Sequence, residues 1–261
     1  MQPICRIALA ATLAWLILPG SGWAAEAQDA CVGQITAPGT VIRTPGTWCM
    51  TKNESFRSSY AIISVAAEGV TIDCKGFALT YVGPDQPRYR GAIESQSARL
   101  TVRNCTFKGF GIGISVAPGT MQRIEHNTFD RSAVRLGGRS DPTSGVVRDN
   151  VFRNTGLQTT GTFDIIDNTF AGVDPYDGTG GLWVSGSQAS IRGNRISGGP
   201  GMTVHGGRAK VRDNVLTGTG AGTGIDCVLA GAYPAWLKGN FITGFATAHH
   251  ACADAGGNIT H

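Results

Sequence analysis

The sequence predicts an all-β solenoid in which short parallel strands form stacked coils with an asparagine ladder at one bend. A unit of an apolar residue, two mostly polar residues, Asn, any residue and then Phe, Ile or Leu recurs along the chain. Between these units, short apolar runs alternate with Gly, Asn, Ser and Thr, which is typical of strands joined by turns. The unit occurs at residues 124–129, 147–152, 165–170, 191–196, 211–216 and 237–242, and residues 102–107 keep it with Cys105 in place of Asn.

Successive units are separated by 22, 23, 18, 26, 20 and 26 residues, counted at the Asn position. A repeat of this length indicates a solenoid, and it accommodates three short strands and three bends per coil. The pattern lacks the 3.6-residue apolar periodicity of a helical repeat and the multiple leucines of a leucine-rich repeat. Adjacent coils would then form parallel ladders with a spacing of roughly 4.8 Å.

Asparagine at a fixed bend has two physical explanations. It tolerates the left-handed backbone conformation that a sharp bend requires. Stacked Asn side chains can also donate hydrogen bonds along the column of coils. Both explanations predict that the recurring Asn residues lie above one another.

These repeats resemble the right-handed parallel β-helix of the pectate-lyase-like superfamily. The resemblance runs from Ala61 to the end of the chain. It is carried by the repeated Asn-x-Phe/Ile/Leu and by residues 69–77, whose sequence Gly-Val-Thr-Ile-Asp-Cys-Lys-Gly-Phe is a common first-coil phrase of that superfamily. It implies the fold but does not fix an activity, because one fold carries many functions.

Three segments follow from this pattern. Residues 1–25 have an apolar run and small residues typical of a signal peptide, so we expect export to the periplasm or out of the cell. Residues 26–60 lack the Asn repeat and are expected to form an N-terminal cap, and residues 61–261 the parallel β-helix. After removal of the signal, no segment is long and apolar enough to span a membrane, and we expect a monomer.

Six cysteines remain after the predicted signal, and an even number in an exported protein implies disulfides. We predict the pairs Cys31–Cys49, Cys74–Cys105 and Cys227–Cys252, with free buried thiols as the alternative. The first pair would hold the cap, the second falls near one bend on successive coils, and the third is separated by about one coil. The net charge of +4 favours an anionic partner only weakly, and no Lys/Arg run indicates nucleic acid binding.

A strand led by glycine or alanine precedes each Asn unit. Alternation directs its apolar residues inward and the others outward. One outward column then contains Arg135, Gln158, Trp183, Thr203 and Asp226, with Ser185 and His205 beside it. In β-helix enzymes of the resembled superfamily, this face and its loops form the polysaccharide groove. The resemblance therefore implies an anionic polysaccharide as partner, with Gln158, Trp183, Ser185, Thr203 and the loop residues Arg88 and Arg90 binding it.

Extra residues concentrate in two loops, residues 82–90 and residues 171–180. The second loop contains Asp174-Pro175-Tyr176-Asp177, which resembles the Asp-Pro-His-Asp signature of mannuronan C5-epimerases. Tyr176 stands where that family has His. The alternative is an ordinary turn, because Asp-Pro and Asp-Gly both favour turns. If the loop is functional, Asp174 and Asp177 supply carboxylates and Tyr176 an acid or base.

The leading hypothesis is therefore a lyase or C5-epimerase that removes the C5 proton of a uronic acid residue. Arg135 would neutralise the sugar carboxylate, His205 or Tyr176 would act as base or acid, and Asp174, Asp177 and Asp226 would support them. Calcium is the candidate cofactor, held by an acidic loop. The alternatives are a non-catalytic carbohydrate-binding or structural β-helix and, third, a glycoside hydrolase. Clustering of these residues around one sugar would favour an enzyme, and scatter along the rod would favour binding.

Overall fold

The described part of the chain is a stack of parallel coils, in agreement with the predicted fold class. The structure is a computed structural model, and it describes residues 30–36, 38–57, 61–83, 91–117, 119–138, 143–172, 181–186, 188–228 and 234–261. Residues Cys31–His261 form one compact unit. All strand pairs are parallel, and each coil contributes one strand to each of three ladders.

The first ladder contains the Gly- or Ala-led strands, together with the carboxyl-terminal parts of two long strands that continue through a corner. Its strands are β2 (Thr40–Ile42), β5 (Ile63–Val65), β8 (Ile93–Ser95), β10 (Thr106–Val116), β12 (Thr128–Leu136), β15 (Gly156–Thr160), β18 (Gly181–Ser185), β21 (Met202–His205), β24 (Thr223–Val228) and β27 (Thr247–His250).

The second ladder, an 11-stranded sheet, contains the strands that precede the Asn bend. These strands are β1 (Gly33–Ile35), β3 (Gly46–Met50), β6 (Val70–Asp73), β9 (Thr101–Arg103), β11 (Gln122–Glu125), β13 (Ser144–Arg148), β16 (Thr162–Ile166), β19 (Ser190–Arg192), β22 (Lys210–Arg212), β25 (Trp236–Lys238) and β28 (Ala253–Asp254).

The third ladder contains the strands that follow the bend, together with the amino-terminal parts of β10 and β12. Its other strands are β4 (Glu54–Phe56), β7 (Ala78–Tyr81), β14 (Val151–Arg153), β17 (Thr169–Ala171), β20 (Arg195–Ser197), β23 (Val215–Thr217), β26 (Phe241–Thr243) and β29 (Ile259–Thr260). Strands β1–β4 lie within the segment predicted as a cap, and they pair in the same ladders as the later coils.

The asparagine ladder forms as predicted and extends one coil further, to Asn258. Along it, each Asn accepts hydrogen bonds from the backbone N–H and the side-chain amide of the Asn one coil earlier. For Asn150 and Asn168 both donor–acceptor distances are 3.0 Å. The ladder begins at Cys105, whose backbone N–H donates to Asn127 Oδ1 at 2.9 Å. The full column is Asn127, Asn150, Asn168, Asn194, Asn214, Asn240 and Asn258.

One of the two explanations for these asparagines is wrong. The residue in the left-handed conformation is the one before the ladder Asn, such as Asp149 (φ 56°) and Asp213 (φ 56°), or Gly239 (φ 66°). The ladder asparagines themselves have no positive φ. Asn is therefore required for its inward hydrogen-bonding amide, and the neighbouring position supplies the bend.

The core is a set of inward columns that continue from coil to coil. Phe107, Phe129, Phe152 and Phe170 stack in the third ladder with ring centroids 5.0, 4.9 and 4.6 Å apart. Ile196 continues this column on the next coil. All five side chains are buried, so each coil covers the apolar surface of its neighbour.

The three predicted disulfides, Cys31–Cys49, Cys74–Cys105 and Cys227–Cys252, are all present. Their sequence separations are 18, 31 and 25 residues, so each closes a loop of about one coil. Three disulfides indicate an oxidising environment. Among the described residues, no helix is long and apolar enough to cross a membrane.

Candidate functional site

The first ladder carries one continuous outward column, here called the first-ladder face. The strand register places Arg135 beside Gln158, Gln158 beside Trp183, Trp183 beside Thr203 and Thr203 beside Asp226. This is the column predicted from alternation. The complete face comprises Val41, Ser64, Glu94, Ser115, Arg135, Gln158, Trp183, Thr203, Asp226 and His250.

These side chains face outward because their neighbours in sequence are buried. Leu182 and Val184 flank Trp183 and are 2% and 0% exposed. Glycine begins several of these strands because the backbones approach closely at the corner. Gly181 has φ 96°, and a Cβ atom there would lie 2.3 Å from the carbonyl oxygen of Gly201. The leading glycine thus fixes where the outward column starts.

Trp183 and His205 form the central contact of the face. His205 lies one coil after Ser185 in a second outward column. The ring centroids of Trp183 and His205 are 5.1 Å apart, with an interplanar angle of 46°. Both residues are half-buried. The predicted neighbours Ser185 and Thr203 share the same two coils, so four of the predicted residues come together here.

Asp226 has a partner that the sequence reasoning missed. His250, on the next coil, lies with Nδ1 3.0 Å from Asp226 Oδ1. The side chains of His250 and Asp226 are 71% and 37% exposed, so the pair faces solvent. The disulfide between Cys227, in β24, and Cys252, two residues after the end of β27, lies beside this pair. Extending the outward column by one repeat would have revealed His250.

The amino-terminal end of the face forms a groove that sequence reasoning also missed. It encloses about 570 Å³ and is lined by polar residues including Ser64, Glu94 and Ser115. Glu94 Oε1 accepts a hydrogen bond from the Gly91 N–H at 3.2 Å. The groove therefore presents one carboxylate between two hydroxyl groups.

The structure does not bring all the predicted catalytic residues around one point. Arg135 and Trp183 are two coil steps apart, which is roughly 10 Å along the rod. Arg135 and Asp226 are four steps apart, or roughly 19 Å. The charged residues are thus distributed along the face, which is the scatter expected of a binding surface.

Five predicted site residues, Arg88, Arg90, Asp174, Tyr176 and Asp177, lie outside the described residues. In the chain, the first two precede β8 and the other three precede β18, so both segments lead directly into strands of the first ladder. Within the described ranges, no group of three or more His, Cys, Asp or Glu side chains could hold a metal ion. The acidic segment proposed for calcium is not among those ranges.

The three parallel ladders, the internal asparagine column and the polar outward face define a parallel β-helix. A family model described as a right handed beta helix region matches residues 90–242, more than half of the chain. The chain therefore belongs to the right-handed β-helix family, and this membership is consistent with polysaccharide-acting proteins in general. No curated protein matches the chain.

Proposed function

We propose that this protein acts on polysaccharides by binding a sugar chain along the first-ladder face. The observation that carries the proposal is the Trp183–His205 contact near the centre of a continuous column that is polar from Ser64 onward, apart from Trp183 itself. An indole ring offers an apolar plate for a sugar ring, while its polar neighbours can bind the hydroxyl groups. The coil spacing of roughly 4.8 Å is close to the length of one pyranose unit, so successive sugars could meet successive coils.

Arg135 contributes positive charge to this face, and Glu94 and Asp226 contribute negative charge. The mixed charge suits a polymer that presents both hydroxyl and carboxylate groups. An anionic polysaccharide is the proposed partner because Arg135 would bind a carboxylate two sugars away from the ring on Trp183. Three disulfides support the proposal that the protein works in the periplasm or outside the cell.

Lyase or C5-epimerase chemistry is the second candidate, favoured by the position of His205 beside Trp183. A sugar ring on the indole would place its edge near this imidazole, a side chain of a type that can act as a general base. The reaction also needs a cation or acid at the sugar carboxylate. Arg135 is roughly 10 Å from Trp183 along the rod, so the segment containing Asp174, Tyr176 and Asp177 is the proposed source of the remaining groups, with calcium as a candidate cofactor.

Glycoside hydrolysis is disfavoured by the separation of the carboxylates. Hydrolases use two carboxyl groups roughly 5–9.5 Å apart. On the described first-ladder face, Glu94 and Asp226 are six coil steps apart, or roughly 29 Å. They cannot act on the same glycosidic bond.

Proton NMR of the mature protein with alginate, polygalacturonate and glycosaminoglycans in D2O, with and without calcium, tests the proposal. Saturation transfer to one of these polymers, weakened in Trp183→Ala, is the expected result. New vinylic signals would identify a lyase, and loss of the C5 proton without cleavage an epimerase. A polymer that binds unchanged would identify a non-catalytic binder. Absence of transfer to every polymer, or binding that Trp183→Ala leaves unaltered, would overturn the use of this face.

A further inference from the structure

A different face of the rod, formed by the second ladder, has an uneven distribution of charge. One column of this ladder contains Asp73, Arg103, Glu125 and Arg148 on four successive coils, after Gln34 and Cys49 on the first two. The four charged residues alternate in sign and form ion pairs. Arg103 Nε lies 3.0 Å from Asp73 Oδ2, and an Arg148 guanidinium nitrogen lies 2.9 Å from Glu125 Oε2. The charges in the first half of the column therefore neutralise one another.

The second half of the same column has no such compensation. After Ile166 it continues with Arg192, Arg212 and Lys238 on three successive coils. All three side chains are exposed, and none of them forms an ion pair within the described residues. At roughly 4.8 Å per coil, these like charges repel one another. Such an arrangement costs stability and is not explained by the fold.

The adjacent outward column adds a cation and an aromatic ring to this cluster. It places Lys210 beside Arg212 and Trp236 beside Lys238, on the same two coils. Trp236 is 57% exposed, although most large apolar side chains of the described rod are buried. A groove of about 510 Å³ runs between these residues, and its lining includes Lys210, Arg212, Trp236, Lys238 and Arg208.

Three carboxylates lie near this cluster, and none of them neutralises it. Asp167, exposed at the bend one coil before Arg192, has its carboxylate over Gly193 and forms no ion pair within the described residues. Asp213 is exposed at the bend after Arg212 and forms no ion pair within the described residues. Asp254, on the last coil, accepts hydrogen bonds from the Gly256 N–H at 2.7 Å and from the Asn258 side chain. The groove therefore combines positively charged side chains with the exposed indole ring of Trp236.

We propose that this groove is a second binding site, specific for an acidic polysaccharide and separate from the first-ladder face. A sugar ring would stack on Trp236, and its carboxylate would bind Lys210 on the preceding coil or Lys238 on the same coil. The cations recur at each coil, so an acidic chain lying along the rod would place further carboxylates at Arg212 and Arg192. The self-neutralised half of the column confines this site to the carboxyl-terminal coils. The inference does not rest on the function proposed for the first-ladder face.

The test uses the mature protein carrying Trp183→Ala, so that binding at the first-ladder face is weakened, and an octamer of galacturonic acid as the probe. Isothermal titration calorimetry should show binding that Arg212→Gln combined with Lys238→Gln weakens at least about tenfold. Trp236→Ala should weaken it similarly, and added salt should reduce it. Arg148→Gln is the control because it removes one positive charge from the paired half of the same column. It should change the dissociation constant less than about twofold.

Equal affinity in the Arg212→Gln/Lys238→Gln protein and the Arg148→Gln control would overturn the proposal. So would equal binding of a neutral maltooctaose, since the cations would then have no role. Preferential binding of phosphatidylglycerol vesicles or single-stranded DNA at these residues, without binding of the octamer, would assign the groove to another partner and also overturn it. Failure of the first-ladder proposal is recognised separately, because the octamer would then bind equally with and without Trp183→Ala. Circular dichroism checks that each variant is folded.

Discussion

The Trp183 indole and the His205 imidazole lie on adjacent coils with their ring centroids 5.1 Å apart. Strand pairing sets this contact, because Trp183 lies beside Thr203 and Ser185 beside His205 in one parallel register. The contact combines an indole ring that can stack on a sugar and an imidazole that can act as a general acid or base. It is therefore the point of the first-ladder face at which binding and chemistry can be tested together.

Replacing Trp183 with Ala should weaken binding of the preferred polysaccharide about tenfold, or about 1.4 kcal/mol. The substitution removes the indole ring on which a sugar would stack. The fold is retained because the Trp183 side chain is only half-buried. Titration calorimetry measures the change. Thr217→Ala, an exposed residue of the third ladder, is the control and should bind like the wild type. An equal loss in both variants would indicate a general effect on the fold.

Replacing Asn168 with Ala should lower the free energy of unfolding by about 3 kcal/mol or more. The substitution leaves the buried Asn150 N–H without its acceptor and the Val147 carbonyl without its donor. Denaturant unfolding measures the difference. Asn258→Ala, at the half-buried end of the same ladder, should cost clearly less. A similar decrease in the free energy of unfolding at both positions would show that the continuity of the ladder does not matter.

Asp73 should make the free energy of unfolding depend on pH in the acid range. Burial alone would raise the pKa of this carboxyl, but hydrogen bonds from the Lys75 N–H, the Asn104 amide and the Lys75 and Arg103 side chains outweigh burial. The pKa of Asp73 is therefore below its ordinary value of 3.8. Because the folded pKa is lowered, its contribution to stability is complete above about pH 5 and is lost as the pH falls through the folded pKa.

Asp73→Asn should therefore destabilise the protein at pH 7 and flatten the loss of stability between about pH 5 and pH 2. Denaturant unfolding across this pH range measures both effects. The control is Asp164→Asn, which removes an exposed carboxylate of the same ladder that forms no ion pair among the described residues. An acid profile of Asp73→Asn identical to that of the wild type would refute this account.

Replacing Cys227 and Cys252 together with Ser should loosen the last coil selectively. The disulfide closes a 25-residue loop, a constraint worth about 3 kcal/mol in the chain-entropy model. Hydrogen exchange should become faster in β27–β29, while β11 and β13 keep their protection. The His250–Asp226 pair lies beside this disulfide, so the same variant should broaden the side-chain NMR signals of His250. Unchanged exchange in β27 would show that strand pairing alone holds the coil.

Much of the fold was predictable because each coil repeats the same alternation of inward and outward residues. Alternation correctly predicted the column from Arg135 to Asp226, and the positions of the cysteines relative to the cap and to the coils correctly predicted the three disulfide pairs. The left-handed position was assigned one residue too late, because sequence alone does not distinguish a bend residue from its inward neighbour. His250 and the groove at Glu94 were missed because their coils lack the clear Asn repeat of the central region.

The sequence by itself determined the parallel coils, the asparagine column and the outward order of residues along each ladder. These features follow from local alternation and from a repeat that places equivalent residues roughly 4.8 Å apart. Only the tertiary structure decided which charges are neutralised. Arg148 and Arg212 occupy the same column and have similar local sequences, yet Arg148 pairs with Glu125 on the preceding coil, whereas Arg212 is flanked by Arg192 and Lys238. The difference arises between coils, where residues about 20 positions apart in the chain become neighbours.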